Sequence, residues 1–182
     1  MTMRVLALLA GCALAGCGTP PETRASAELR IVSLNPCSDA ILAEVAPAKL
    51  VAVSHYSHDP SAGSMPVDTA RRWPATGGSV EDILAAEADM VVASSFLPPA
   101  TRAALDDLGI PVVTLGMSNS VEENLAQVRE LSAAVGEAEA GEALVARIET
   151  ALAKAAPPAG RADTATILWQ PGGIVPGEGA LV

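Results

Sequence analysis

Side chains able to do chemistry are sparse in this sequence and lie in short stretches. His55 and His58, with Asp59 beside them, fall in Ser54-His55-Tyr56-Ser57-His58-Asp59. Two imidazoles and a carboxylate at this spacing could ligate a divalent metal, although zinc usually takes three or four protein ligands. The same histidines could equally serve as solvent-facing hydrogen bonders. No residue carries a recognisable nucleophile–base signature, and no Gly-rich loop follows the first apolar run as a dinucleotide site requires. Pro171-Gly172-Gly173 through Gly177-Glu178-Gly179 is Gly-rich but lacks the lysine and the spacing of a P-loop. What remains is apolar chemistry: two Trp, one Tyr and one Phe are the whole aromatic complement.

Four short apolar runs must position these residues: Ile31-Val32, Leu50 to Val53, Met90 to Ala93 and Val112 to Leu115. They are β-branched and do not alternate, the pattern of strands buried on both faces of a parallel sheet. Helical patterns lie between them. Asp39 to Ala46 has Ser38 or Asp39 available as N-cap, and Val80 to Ala88 follows Ser79, with Asp82 completing a capping box. Thr101 to Leu108 stops at Gly109, and Ser120 with Glu123 opens a helix carrying Val121, Leu125, Val128, Leu131 and Val135. A long helix from Ala138 to Ala156 precedes one more strand, Thr166 to Trp169. Strand–helix alternation predicts an α/β fold with a doubly wound parallel sheet, whose ligands bind beyond the strand carboxyl ends. Tyr56, Phe96 and Trp169 (with Gln170) follow strands, and Trp73 sits in the long loop after the second strand. The expectation is a shared aromatic rim for a large, planar, partly apolar ligand.

Composition narrows the field. Of 182 residues 50% are hydrophobic, 18% are charged and 2% are aromatic, with a formal net charge of −10. Such a chain is not intrinsically disordered, and the acidic balance excludes nucleic acid as a partner. Residues 1–16 read as a signal peptide: one early Arg4, then an apolar stretch too short for a membrane helix, which takes roughly 20 residues. Leu14-Ala15-Gly16-Cys17 resembles a lipoprotein processing site, with Cys17 as the acylated residue; Leu9-Ala10-Gly11-Cys12 is a second match with a shorter apolar run. Residues 17–28 then form a polar tether. After processing only Cys37 is left free, so no disulfide framework forms within the chain.

Several motifs taken in order resemble one family. They are Arg30-Ile31-Val32-Ser33-Leu34-Asn35-Pro36, Val53-Ser54-His55-Tyr56-Ser57, and Gly77-Gly78-Ser79-Val80-Glu81-Asp82-Ile83-Leu84 through Asp89-Met90-Val91-Val92. They are similar to the periplasmic binding proteins for cobalamin, haem and ferric siderophores, which serve ABC importers. The resemblance implies two α/β lobes joined by a long helix, with the ligand between them. Residues 29–136 would be the N-terminal lobe, 137–157 the linking helix and 163–182 the incomplete start of a C-terminal lobe, so that the chain reads as truncated. It implies that Asn35, Pro36 and Cys37 line the cleft at a helix N-terminus, and that Tyr56 is an aromatic cleft residue. His55 joins them as a candidate, with haem iron as one possible target. Glu81 matches an acid that docks into the permease, while also suiting a helix first turn. The expected protein is therefore not an enzyme and carries no cofactor of its own. It is a lipoprotein on the periplasmic face of the membrane, delivering a metal chelate to an ABC permease. Cobalamin or another corrinoid is the first expectation, then a ferric siderophore or haem. The alternatives are an exported divalent-metal binder using His55 and His58, or an exported α/β enzyme domain.

Overall fold

The computed structural model describes residues 28–155. The segment expected to be a signal peptide, Cys12, Cys17, the strand expected at Thr166 to Trp169, Gln170 and the expected start of a second lobe lie outside the described residues. Within them the chain runs β1 (Ile31–Ser33), α1 (Pro36–Val45), β2 (Leu50–Ser54), a 3-10 turn (His55–His58), α2 (Val67–Ala70) and β3 (Ala75–Thr76). It continues through α3 (Val80–Ala85), β4 (Met90–Ser94), α4 (Pro99–Asp107), β5 (Val112–Leu115), α5 (Val121–Ala134) and α6 (Ala138–Ala155). The strands form one sheet in the order β3-β2-β1-β4-β5, and every pairing is parallel.

Alternate residues of each strand serve opposite faces. Ile31, Val53 and Val92 pack with Leu42, Val45, Leu131 and Val135, so α1 and α5 cover one face. Val32, Ala52, Val91 and Ala93 pack with Ile83 and Leu105, so α3 and α4 cover the other. With both faces closed, β1 is buried throughout and β4 is buried over Val91 to Ala93, which explains why the apolar runs do not alternate. The sheet is doubly wound, as the apolar runs predict.

Two local readings change. α1 starts three residues before Asp39: Asn35 is its N-cap, with Oδ1 accepting from Cys37 N at 2.8 Å, and Pro36 opens the helix. Ser38 and Asp39 are buried residues of the first turn rather than caps. The long loop expected after β2 contains the 3-10 turn, α2 and the edge strand β3. Ser79 and Ser120 do cap α3 and α5, accepting from Asp82 N and Glu123 N at 3.1 Å each. The acids of those two boxes reach back to Gly77 N and Asn119 N instead of to the cap residues.

α6 packs on α5 and α1, and its closest approach is made by Gly141, which is buried. A Cβ built on Gly141 would overlap the side chain of Ser132, whose Oγ donates to Val128 O at 2.7 Å. Gly→Ala within a helix ordinarily stabilises by about 0.5–1 kcal/mol. Here overpacking reverses the sign, and Gly141→Ala should destabilise by roughly 1–3 kcal/mol. Thermal unfolding checks this, with Ser132→Gly in the same chain recovering part of the loss. A raised Tm in the single variant would contradict the packing.

Candidate functional site

The order β3-β2-β1-β4-β5 reverses direction between β1 and β4. Open α/β sheets form a crevice beyond the strand carboxyl ends at such a point. A crevice of 460 Å³ lies there, walled by the residues that leave β1 (Asn35, Cys37), β4 (Ser94, Ser95, Phe96) and β5 (Gly116 to Asn119), with Asn124 and Gln127 of α5 behind. Its lining side chains are amides, hydroxyls, a thiol and apolar groups; none is Asp, Glu, Lys, Arg or His. Gln127 Nε2 donates to Gly116 O at 2.9 Å and fixes the β5–α5 loop, while Ser95 N donates to Leu115 O at 3.1 Å and ties the β4 and β5 ends together. A second groove of 420 Å³ shares Cys37, Ile41 and Asn124 with the first and runs between α1, α5 and α6.

Three large apolar side chains stand exposed along this edge: Tyr56 at 52%, Phe96 at 75% and Met117 at 71%, beyond β2, β4 and β5 respectively. Asn35, Cys37 and Phe96 thus come together in one crevice. Pro36 opens α1 between Asn35 and Cys37, and Tyr56 with His55 sits further along the same edge. Their rings are 4.0 Å apart, and His55 Nδ1 is 3.3 Å from Thr76 O.

Trp73 departs from the expectation of a rim. It is 9% exposed in the core of the α1–α5 face, and its Nε1 donates to Pro47 O at 3.3 Å, near the amino end of β2. Because β3 follows Trp73, the residue enters the sheet at an amino end; the unseen strand is the reason for the misplacement. Trp169 and Gln170 lie outside the described residues. Nor do the histidines form a pair facing a common point. His58 Nε2 lies 3.3 Å from Ala70 O and 3.2 Å from Trp73 O, whereas His55 turns to Thr76. Among the described residues no group of three or more His, Cys, Asp and Glu is placed to hold a metal ion.

Beneath the edge lies a buried polar cluster that the sequence did not announce: Ser33, Ser38, Asp39, Ser54 and Ser57. Ser33 and Ser38 hydroxyls are 2.8 Å apart, and Ser38 Oγ donates to Asn35 O at 2.9 Å. Asp39 Oδ2 accepts from Ser54 N at 2.9 Å and from Ser57 Oγ at 2.6 Å, while Oδ1 is buried with no hydrogen-bond partner. Burial pushes the Asp39 carboxyl up to about 6, against the lowering effects of the Ser33 and Ser57 hydroxyls, the Ser54 amide and His58.

A family model described as periplasmic binding protein matches residues 31–182. The chain belongs to this family. Among solved structures, the apo haem-binding protein RhuT of Roseiflexus sp. RS-1 is 25% identical with a TM-score of 0.56, covering 71% of this chain and 49% of its own. The vitamin B12 binding protein BtuF of Vibrio cholerae is 26% identical with a TM-score of 0.54, covering 69% and 48%. The haem-binding protein HutB of Vibrio cholerae, at 18% identity and a TM-score of 0.59 over 73% and 52%, shares the fold. The chain thus spans about half the length of each of these periplasmic binding proteins. No curated protein matches it.

Asp39 generates a pH signature. A folded value raised from 3.8 to about 6 means that the folded chain keeps a proton the unfolded chain gives up. The stability this group contributes is full below the unfolded value and is lost as pH rises through the folded one. Between about pH 4 and about pH 7, wild type should therefore lose on the order of 2–3 kcal/mol relative to Asp39→Asn. Denaturant unfolding of both proteins at the two pH values measures it. A difference that does not change with pH would rule out the buried, ionisable carboxyl.

Proposed function

We propose that the chain forms the N-terminal half of a cleft that captures a metal-chelate nutrient and hands it to an ABC permease, by binding rather than catalysis. A corrinoid such as cobalamin is the preferred ligand, ahead of a ferric siderophore or haem. The observation that carries this preference is the crevice wall, which offers amides, hydroxyls, Phe96 and Met117 but no charged side chain. Haem carboxylates and anionic siderophores call for cationic partners, whereas a corrinoid presents neutral amide groups around an apolar plane. The solved relatives do not make this choice, since RhuT is named as a haem binder and BtuF as a vitamin B12 binder at nearly equal identity.

In this reading Asn35, Pro36 and Cys37 meet the ligand at the start of α1, and Tyr56, His55 and Phe96 lie against its plane. Residues 29–136 are the lobe, α6 belongs to the linking helix of 137–157, and 163–182 begin the second lobe, to which Trp169 and Gln170 would contribute. Cys17 carries the lipid anchor, holding the protein at the periplasmic face of the membrane. Glu81, exposed in the first turn of α3, is the permease-docking acid.

Equilibrium titration with cyanocobalamin, haemin and a ferric siderophore tests the ligand order. Cyanocobalamin should bind tightest, and Tyr56→Ala should weaken it about tenfold, a loss of one aromatic contact. No response to any chelate, with tight zinc binding abolished in His55→Ala/His58→Ala, would replace this reading with the divalent-metal one. For docking, Glu81→Lys should leave chelate affinity unchanged but abolish uptake in vesicles bearing the permease. Unimpaired uptake would remove Glu81 from that role.

A further inference from the structure

The two hydrogen bonds accepted by Asp39 come from Ser54 N and Ser57 Oγ, the residues that bracket His55 and Tyr56. Ser54 Oγ in turn accepts from Tyr56 N at 3.3 Å. One buried oxygen therefore grips both ends of the turn whose two rings stand exposed at the ligand edge. A short bond from a hydroxyl to an ionised carboxylate is about twice as strong as its neutral counterpart. A proton taken up on the unpartnered Oδ1 removes the charge that Oδ2 shares, and the grip on Ser57 and Ser54 weakens together.

We propose that Asp39 is a positioning residue of the ligand site: ionised, it holds the His55–His58 turn so that Tyr56 and His55 face the ligand, and protonated, it lets them go. Its surroundings come from four elements. β1 supplies Ser33, α1 supplies Ser38, β2 supplies Ser54, and the turn supplies Ser57 and His58. His58 is the ionisable group whose charge acts on Asp39, favouring the ionised form. The consequence is a pair of opposite pH responses. Ionising a buried carboxyl lowers global stability, as argued above, yet it orders the turn and raises ligand affinity. A carboxyl with only a structural role would move both in the same direction. Linkage adds that ligand binding must draw a proton off Asp39.

Tyr56 is the only tyrosine in the chain, so an isotope-labelled tyrosine ring gives a magnetic-resonance signal from this one residue, with no ligand needed. Its chemical shift should move with pH around a midpoint near 6, the value to which burial pushes Asp39. The movement should persist in His58→Gln. It should vanish in Asp39→Asn, whose uncharged amide mimics the protonated acid and leaves the signal at its low-pH position. Ser57→Ala, a milder change than Asp39→Ala, should broaden it. A pH-dependent shift that survives in Asp39→Asn, or one that disappears in His58→Gln, overturns the proposal. The ligand arm rests on the corrinoid-binding function proposed above. Cyanocobalamin affinity should rise about tenfold from pH 5 to pH 7 in wild type and stay level in Asp39→Asn. A level affinity in wild type overturns the coupling to ligand. Absence of any cyanocobalamin binding counts against the corrinoid reading instead, while the tyrosine signal still decides whether Asp39 positions Tyr56.

Discussion

The Asp39 carboxylate, removed from water where β1 and β2 end, is the constraint from which the geometry of the site follows. It stands in the first turn of α1, so its position is set by the Asn35 cap and by Pro36. Its acceptor oxygen is satisfied only if β2 ends at Ser54 and the chain then coils back to bring Ser57 beneath it. Burying a carboxyl without such donors costs several kcal/mol. The turn, the end of β2 and the start of α1 are therefore fixed as a unit rather than separately. Everything at the edge that touches solvent on the β2 side hangs from that unit.

On the other side of β1 the constraint is topological. The reversal of strand order between β1 and β4 leaves the loops after these strands diverging to opposite faces of the sheet. The crevice between them exists whatever side chains line it. Ser95 N bound to Leu115 O joins the ends of β4 and β5 at its wall, and Gln127 bound to Gly116 O ties the loop after β5 to α5. Across the sheet, α6 reaches α5 only because Gly141 offers no side chain where Ser132 lies. Close packing on that face and an open crevice at the carboxyl edge are two results of one doubly wound layer.

The sheet was legible in the sequence because strands buried on both faces cannot alternate, and four apolar runs therefore announced β1, β2, β4 and β5. β3 escaped because Ala75-Thr76 at a sheet edge pairs on one side only and carries no apolar run. Missing it moved Trp73 from core to rim. The start of α1 was visible in Asn35-Pro36, a cap followed by proline at the first helical position, a stronger signal than Ser38 or Asp39. Tyr56 and Phe96 could be placed at the edge from their distance beyond a strand, whereas Asn35 and Cys37 are placed there by the family resemblance. Met117, Asn119, Asn124 and Gln127 carry no distinctive chemistry, and only the strand order, which is not written locally, brings them to the crevice. Burial of Asp39 was hidden for a different reason: an acid in a helix first turn is ordinarily solvated and serves the dipole.

The scarcity of aromatic residues then acquires a structural meaning. Apart from Trp73, the described core is aliphatic, built from Val, Leu, Ile and Ala that close both faces of the sheet. Tyr56, Phe96 and Met117 contribute little to that closure, being more than half exposed. Each nonetheless follows a strand whose backbone the core holds rigid, which is the arrangement that lets an exposed side chain keep its place before a ligand arrives. Tyr56 differs from the other two in having a buried ionisable group behind its turn. Phe96 N is tied only to the neutral hydroxyl of Ser94, at 3.3 Å. Of the exposed edge, it is the β2 end whose order is coupled to a proton, and the β4 end supplies contact area that pH does not touch.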